Sequence, residues 1–203
     1  MTQNKIFYKF VGLILKPFVK LIFPYEIYGA ENLSIIKTGC LLCSNHLSNM
    51  DAIFLIVGLK NTICFMAKEE LFKNKLLGWI LSMLGVFPVK RGKGDISALD
   101  ISKNIIKNDD ILGIFIEGTR SKTGEFLRPK SGAAFLAYSC NAPVIPVCIT
   151  GGGKNNKVKA FKKTLIKISP GIFPKDFGIV AGTRSEIKSA TNMIMEKIKE
   201  MRN

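Results

Sequence analysis

A single histidine, His46, sits in the stretch SNHLSNMDAIFL (residues 44–55), and Asp51 follows five positions later. A carboxylate that accepts the Nδ1 proton of an imidazole leaves Nε2 free as a general base, so the chemistry open to this pair is proton abstraction. The spacing by itself does not select that chemistry. Residues five apart on one continuous helix point about 140° apart, so the two side chains can meet only if His46 stands in a loop ahead of the helix that holds Asp51. Ser48 and Asp51 also fit an S-x-x-D capping box with Ser48 at the N-cap, which accounts for Asp51 without catalysis. The two readings are compatible, because a carboxylate favoured by a helix N-terminus can also hold an imidazole proton.

A second group of candidates lies in IFIEGTRSKTGEFLRPKSG (residues 114–132). An apolar strand ends in Glu117, Gly118, Thr119 and Arg120, and a polar loop beyond it carries Arg128 and Lys130. A guanidinium fork at the carboxyl end of a strand suits bidentate recognition of phosphate. The tetrapeptide GTRS recurs at residues 182–185, where Thr183 stands three positions before Glu186 and a helical pattern follows, the arrangement of a capping box. Position after a buried strand, not the tetrapeptide, therefore gives the first copy its weight. In GVFPVKRGKGD (residues 85–95), Phe87, Val89 and Arg91 would share one face of a strand, with Pro88 marking an edge or a bulge. Arg91 then emerges at a strand end, although a solvated basic turn would look the same. TGGGKNNK (residues 150–157) resembles a phosphate loop only superficially, because Cys148 and Asn155 occupy the positions that need Gly and Ser or Thr. One histidine and a single Cys40/Cys43 pair make a poor zinc set, so no metal is implied.

The elements that must position these residues alternate along the chain. Strand-like EIYG, TGCLLCSN, TICFMA, VFPVKR, DILGIFIEG, VIPVCIT and TLIKIS are interleaved with the helical patterns DAIFLIVGL, KEELFKNKLLGWILSML (with a break near Asn74), ISALDISKNIIKN, SGAAFLAYSC and SEIKSATNMIMEKIKEM. This order predicts an α/β fold, a single domain over residues 25–203 with a largely parallel or mixed sheet flanked by helices. His46 and Arg120 would both follow strands, and sites in open α/β sheets lie outside the carboxyl ends of strands.

Residues 1–24 form a separate N-terminal unit in this reading. Lys9, Lys16, Pro17 and Lys20 interrupt IFYKFVGLILKPFVKLIFP, so no run of 18 uncharged apolar residues exists to span a bilayer. On a helix, Lys5, Lys9, Lys16 and Lys20 fall within an arc of roughly 60°, with Phe, Ile, Leu and Val opposite. That pattern suits an amphipathic helix lying in an anionic membrane interface, with Pro17 expected to kink it. A helix packed on the protein's own core with a solvated lysine face is the alternative. There is no cleavable signal pattern.

The whole composition agrees with an anionic partner. Thirty Lys plus Arg against 15 Asp plus Glu leave a net charge of +15, while 47% hydrophobic residues mark a folded chain. Nucleic acid, an acidic membrane surface or a phosphorylated substrate would each fit that charge. Five cysteines, mostly within apolar runs, suggest reduced core residues and the interior of a cell.

NHLSNMD, GVFPVKR, EGTRS and VIPV stand in the order and approximate spacing of the four blocks of the glycerolipid acyltransferases, and the chain resembles the 1-acylglycerol-3-phosphate O-acyltransferase family over about residues 25–180. The resemblance implies transfer of a fatty acyl group from acyl-CoA or acyl-carrier protein to the free hydroxyl of a lysophospholipid, giving phosphatidic acid in phospholipid biosynthesis. By position, His46 and Asp51 match its catalytic motif. Gly85, Phe87 and Arg91 match its second block, and Glu117, Gly118, Thr119 and Arg120 its third, both associated with the glycerol phosphate. Lys68 resembles a lysine the family often has for phosphate, and Val144, Ile145 and Pro146 match the fourth, hydrophobic block. No cofactor and no nucleic-acid partner is implied. The expected location is the cell membrane, peripheral or monotopic on its cytoplasmic face, although the short, lysine-rich N-terminus departs from the longer hydrophobic segments of many members. Three alternatives stay open: another acceptor such as glycerol-3-phosphate or a different lysolipid, a thiol enzyme using Cys43 with His46, and a non-enzymatic basic module for lipid or nucleic acid.

Overall fold

Every residue of Cys40–Ser44, the strand β2, is buried. Its unbroken apolar run reflects helices covering both faces of the sheet, the usual reason a central strand loses its polar alternation. The computed structural model describes residues 3–90 and 95–202. In it β2 lies parallel to β5 (Ile111–Phe115) on one side and β6 (Val144–Thr150) on the other. Beyond β5 come β3 (Ile63–Lys68) and β4 (Val86–Val89); beyond β6 come β7 (Thr164–Ile168) and β1 (Tyr25–Tyr28), in the order β1-β7-β6-β2-β5-β3-β4. β7 runs antiparallel to β6 and carries β1 parallel to itself, so the sheet is mixed only at that edge.

Alternate residues of β2 serve two cores. Leu41 and Cys43 enter the core built with α5 (Ile96–Lys107), α6 (Gly132–Cys140) and α7 (Arg184–Glu200). Cys40 and Leu42 enter the core shared with α1 (Lys5–Ile22) and α3 (Met50–Gly58). Burial pushes the Cys43 thiol up, and the residue is fully enclosed in the first core, so the thiol-nucleophile alternative loses its geometry.

The sequence-predicted strands and longer helices are all present, with local corrections. The expected break near Asn74 is present, with a 3₁₀ turn at Glu69–Phe72 ahead of α4 (Lys75–Met83), because Asn74 Oδ1 accepts the Leu77 N–H and starts a new helix. The five-residue α2 (Glu31–Ile35) is too short to show a periodicity. Pro88 lies on β4, an edge strand, as its missing donor requires. The predicted capping box at α7 is complete, with Thr183 and Glu186 exchanging bonds. The one predicted at α3 is only half formed. Asp51 Oδ2 accepts the Ser48 N–H, but Ser48 Oγ accepts from Met50 instead of Asp51, and the N-cap position is Asn49. Arg91 lies outside the described residues.

α1 starts at Asn4, whose Oδ1 accepts the N–H groups of Ile6 and Phe7, and it runs through Pro17 to Ile22. It buries the narrow stripe of Tyr8, Gly12 and Val19 against α3. Ile6, Phe10, Leu13, Phe18 and Leu21 on its outer side remain exposed, and so do all four lysines. One stripe of this helix is therefore core, and a second apolar face meets solvent. No described helix is long and apolar enough to cross a membrane.

Candidate active site

β2 ends at Ser44, and the chain then turns across the carboxyl edge of the sheet. Asn45, fully buried, fixes this turn: its Nδ2 donates to the Ile149 carbonyl and its Oδ1 accepts the Ile149 N–H, both near 2.9 Å. These two bonds continue the β2–β6 pairing with a side chain, so the next residue leaves the sheet plane at a set angle. That residue is His46.

Its Nδ1 lies 2.8 Å from Asp51 Oδ2. The same oxygen accepts the N–H groups of Leu47 at 2.6 Å and Ser48 at 2.8 Å, so three donors converge on one carboxylate oxygen. Asp51 has no exposed surface, and the His46 side chain retains 13%. With Nδ1 engaged, Nε2 is the nitrogen left for other partners.

Below the imidazole lies Phe115, the last residue of β5, with ring centroids 3.8 Å apart and planes 11° from parallel. The register places it there, since Ser44 pairs with Phe115 across β2 and β5. After Phe115 the chain rises through Glu117 and Gly118, and Gly118 adopts a left-handed φ of 69° that few other residues tolerate. The loop is tied back to the histidine turn by Ser121 N–H donating to the His46 carbonyl at 2.8 Å. Arg120 reaches across to donate to Asn49 Oδ1 at 2.8 Å, just ahead of α3. The elements carrying His46, Asp51 and Arg120 are thus joined at one corner of the sheet.

The other sequence-predicted site residues sit differently. Thr119, Gly118 and Arg120 are exposed on this edge, and Lys68, exposed at the end of β3, lies on the same edge one strand beyond β5. Glu117 departs from its neighbours, being buried to 1% exposure with neither carboxyl oxygen hydrogen-bonded. Burial pushes its carboxyl up to about 7, against smaller opposing pulls from the His46 and Leu127 backbone and from Arg202. The backbone contacts have electrostatic influence without hydrogen-bonding geometry. The carboxyl group is thus enclosed and does not lie on the open edge with its exposed neighbours Gly118, Thr119 and Arg120.

Sequence reasoning missed Asn45, Phe115 and Arg202. Arg202, next to last in the chain, donates to the Gly124 carbonyl at 2.9 Å and stacks over Phe126 at 3.6 Å, clamping the loop that follows Arg120. Asn45 had a visible signal, a polar residue closing an apolar strand; the other two depend on long-range packing.

A family model described as Acyltransferase matches residues 25–150, the span that carries this entire corner. A 1-acyl-sn-glycerol-3-phosphate acyltransferase of Bacillus subtilis (strain 168) is 32% identical over 199 residues, covering 97% of both chains. The chain belongs to the acyltransferase family. A chloroplastic 1-acyl-sn-glycerol-3-phosphate acyltransferase of Brassica napus is 34% identical over 152 residues, 72% of this chain and 44% of that one. Among solved structures, the 1-acyl-sn-glycerophosphate (LPA) acyltransferase PlsC from Thermotoga maritima superposes with a TM-score of 0.72 at 25% identity, over 98% of this chain and 79% of that one. Membership makes this protein an O-acyltransferase, and among the described residues the corner built around His46 brings together an imidazole, a buried carboxyl group and exposed cationic side chains.

Proposed function

We propose that this acyltransferase moves a fatty acyl group from a thioester, acyl-CoA or acyl-carrier protein, to the free hydroxyl of 1-acylglycerol-3-phosphate, yielding phosphatidic acid. The observation that carries the reading is the His46–Asp51 pair, 2.8 Å apart on a corner bordered by Arg120. A lipid hydroxyl is a weak nucleophile at neutral pH, so it must lose its proton as it attacks. His46 Nε2 takes that proton while the hydroxyl oxygen bonds to the thioester carbonyl carbon, and Asp51 stabilises the imidazolium. Collapse of the adduct breaks the carbon–sulfur bond, and the departing thiolate takes the proton back from His46. No acyl-enzyme is needed, and the acceptor plays the part that a serine plays in a hydrolase triad.

Arg120, with Lys68 and Arg91, holds the acceptor phosphate and converts binding energy into orientation of the hydroxyl. Gly118 and Thr119 shape that site, and Glu117 sustains it from below without touching the phosphate. The acceptor reaches the corner from an anionic membrane, on which the exposed apolar face of α1 lies with its lysines at the headgroups. We place the protein on the cytoplasmic face of the cell membrane, the side on which both thioester donors are made available.

The deciding experiment is an acyl-transfer assay over lysophosphatidate, glycerol-3-phosphate and other lysolipids, with both donors, for wild type and His46→Ala. Lysophosphatidate should be the preferred acceptor, and folded His46→Ala should lose roughly 100 to 10,000-fold in turnover. Wild-type turnover in that variant would refute the mechanism, and preference for another acceptor would refute the substrate assignment.

A further inference from the structure

Phe161 is an aromatic residue held where aromatic residues are costly. It stands in the β6–β7 connection (residues 151–163) with a left-handed φ of 59°, a conformation that strains bulky side chains, and it is 73% exposed. Among the described residues, the ring belongs to neither hydrophobic core. Its backbone is nevertheless pinned, the N–H donating to the Ile22 carbonyl at the end of α1 at 2.6 Å. This anchor holds the exposed Phe161 at the carboxyl end of α1, where Leu21 and Ile22 are 73% and 42% exposed.

The same loop is strongly basic. Lys154, Lys157, Lys159, Lys162 and Lys163 are all exposed, and only Lys163 has an acidic partner among the described residues, Glu26 at 2.8 Å. The loop leaves the carboxyl end of β6, which is parallel to β2, so it rises from the same edge of the sheet as His46. It also abuts the loop that carries Arg120: Gly124 has a φ of 86°, and a β-carbon there would overlap the Asn155 carbonyl.

We propose that residues 151–163 form a second membrane-contact element, in which Phe161 inserts among the acyl chains of an anionic bilayer while Lys154, Lys157, Lys159 and Lys162 meet its headgroups. An exposed aromatic in a loop of exposed lysines matches both layers of such a surface, and a bilayer is favoured over an acidic protein because the loop is anchored at the end of α1, whose outer apolar residues are exposed as well. Contact on this side places the catalytic edge at the bilayer, where the lipid acceptor resides. The inference rests on the membrane attachment proposed for α1, and the test separates the two.

Full-length wild type, Phe161→Gly, a Lys157→Ala/Lys159→Ala/Lys162→Ala triple variant and the α1 variant Leu13→Glu would be floated with phosphatidylcholine vesicles with and without phosphatidylglycerol. Thermal unfolding and turnover on a short-chain, monomeric lysophosphatidate would be measured in parallel. Phe161→Gly should lower partitioning about tenfold while unfolding no earlier than wild type, because glycine relieves the left-handed strain. The triple variant should lose partitioning only on phosphatidylglycerol vesicles, and both variants should retain turnover on the monomeric acceptor. If Leu13→Glu releases the protein and Phe161→Gly does not, the loop inference fails and the α1 reading stands. If Phe161→Gly releases it and Leu13→Glu does not, the loop inference stands and the α1 reading fails. A triple variant with unchanged vesicle binding and a raised KM for acyl-carrier protein alone would overturn the inference in favour of a donor-protein dock.

Discussion

His46 and Phe115 lie ring on ring, 3.8 Å between centroids and 11° from parallel, although 69 positions separate them in sequence. Asp51 holds the imidazole in its own plane through Nδ1, and Phe115 covers one of its faces. Together they restrict both rotations of the side chain and leave Nε2 directed by the scaffold. Orientation of a base matters as much as its basicity, since displacements near 1 Å can cost about 100-fold in rate.

Phe115→Ala should therefore lower kcat by roughly 10 to 100-fold, with a smaller change in KM. Steady-state kinetics, with circular dichroism as a check on folding, would measure this. Undiminished kcat would show that Asp51 alone orients His46.

Asp51→Asn keeps an acceptor for the Leu47 and Ser48 amides but removes the charge that stabilises an imidazolium. Turnover should fall by about 100 to 10,000-fold, by the logic of a triad aspartate. Because Asp51 is fully buried, stability should also drop, by about 1–3 kcal/mol, readable in urea unfolding.

Arg120→Ala should chiefly raise the KM for a phosphorylated acceptor, by roughly 10 to 100-fold, the scale of a charge-assisted hydrogen-bonded pair. Arg120→Lys should recover only part of that loss, because a point charge cannot replace a guanidinium fork. Unchanged acceptor kinetics in Arg120→Ala would remove this residue from the phosphate site.

Glu117 makes a prediction about pH. Its folded-state carboxyl is raised from an ordinary value of 4.5 to about 7, so the folded protein binds more protons than the unfolded chain between those values. The stability it contributes is fully present below about pH 4.5 and is lost as pH rises through about 7. Glu117→Gln should flatten this part of the profile and leave the protein more stable than wild type at pH 8. Melting temperatures from pH 5 to 8 would measure the effect, and parallel profiles for the two proteins would refute it.

Much of this site was legible in the linear chain because its central contacts are local. His46 and Asp51 are five residues apart, and a loop followed by a helix start is enough to bring Nδ1 to Oδ2. The strands were legible for a related reason: apolar runs such as CLLCS and VIPVCIT need burial on two faces, which only a covered sheet supplies. Even the failed detail at Ser48 is small, a hydroxyl that bonds Met50 in place of Asp51.

Only the tertiary structure decided what surrounds that pair. Strand order sets β5 beside β2, and this alone puts Phe115 under His46 and buries Glu117, a residue whose charge in the sequence suggests the surface. It also brings Arg202 back onto the loop after Arg120, and it gives α1 a buried stripe and an exposed apolar face where the sequence offered one or the other. Hydrogen bonds between near neighbours are encoded by residue type and spacing. Burial and ring stacking arise from which distant segments the sheet makes adjacent, and no local pattern records that choice.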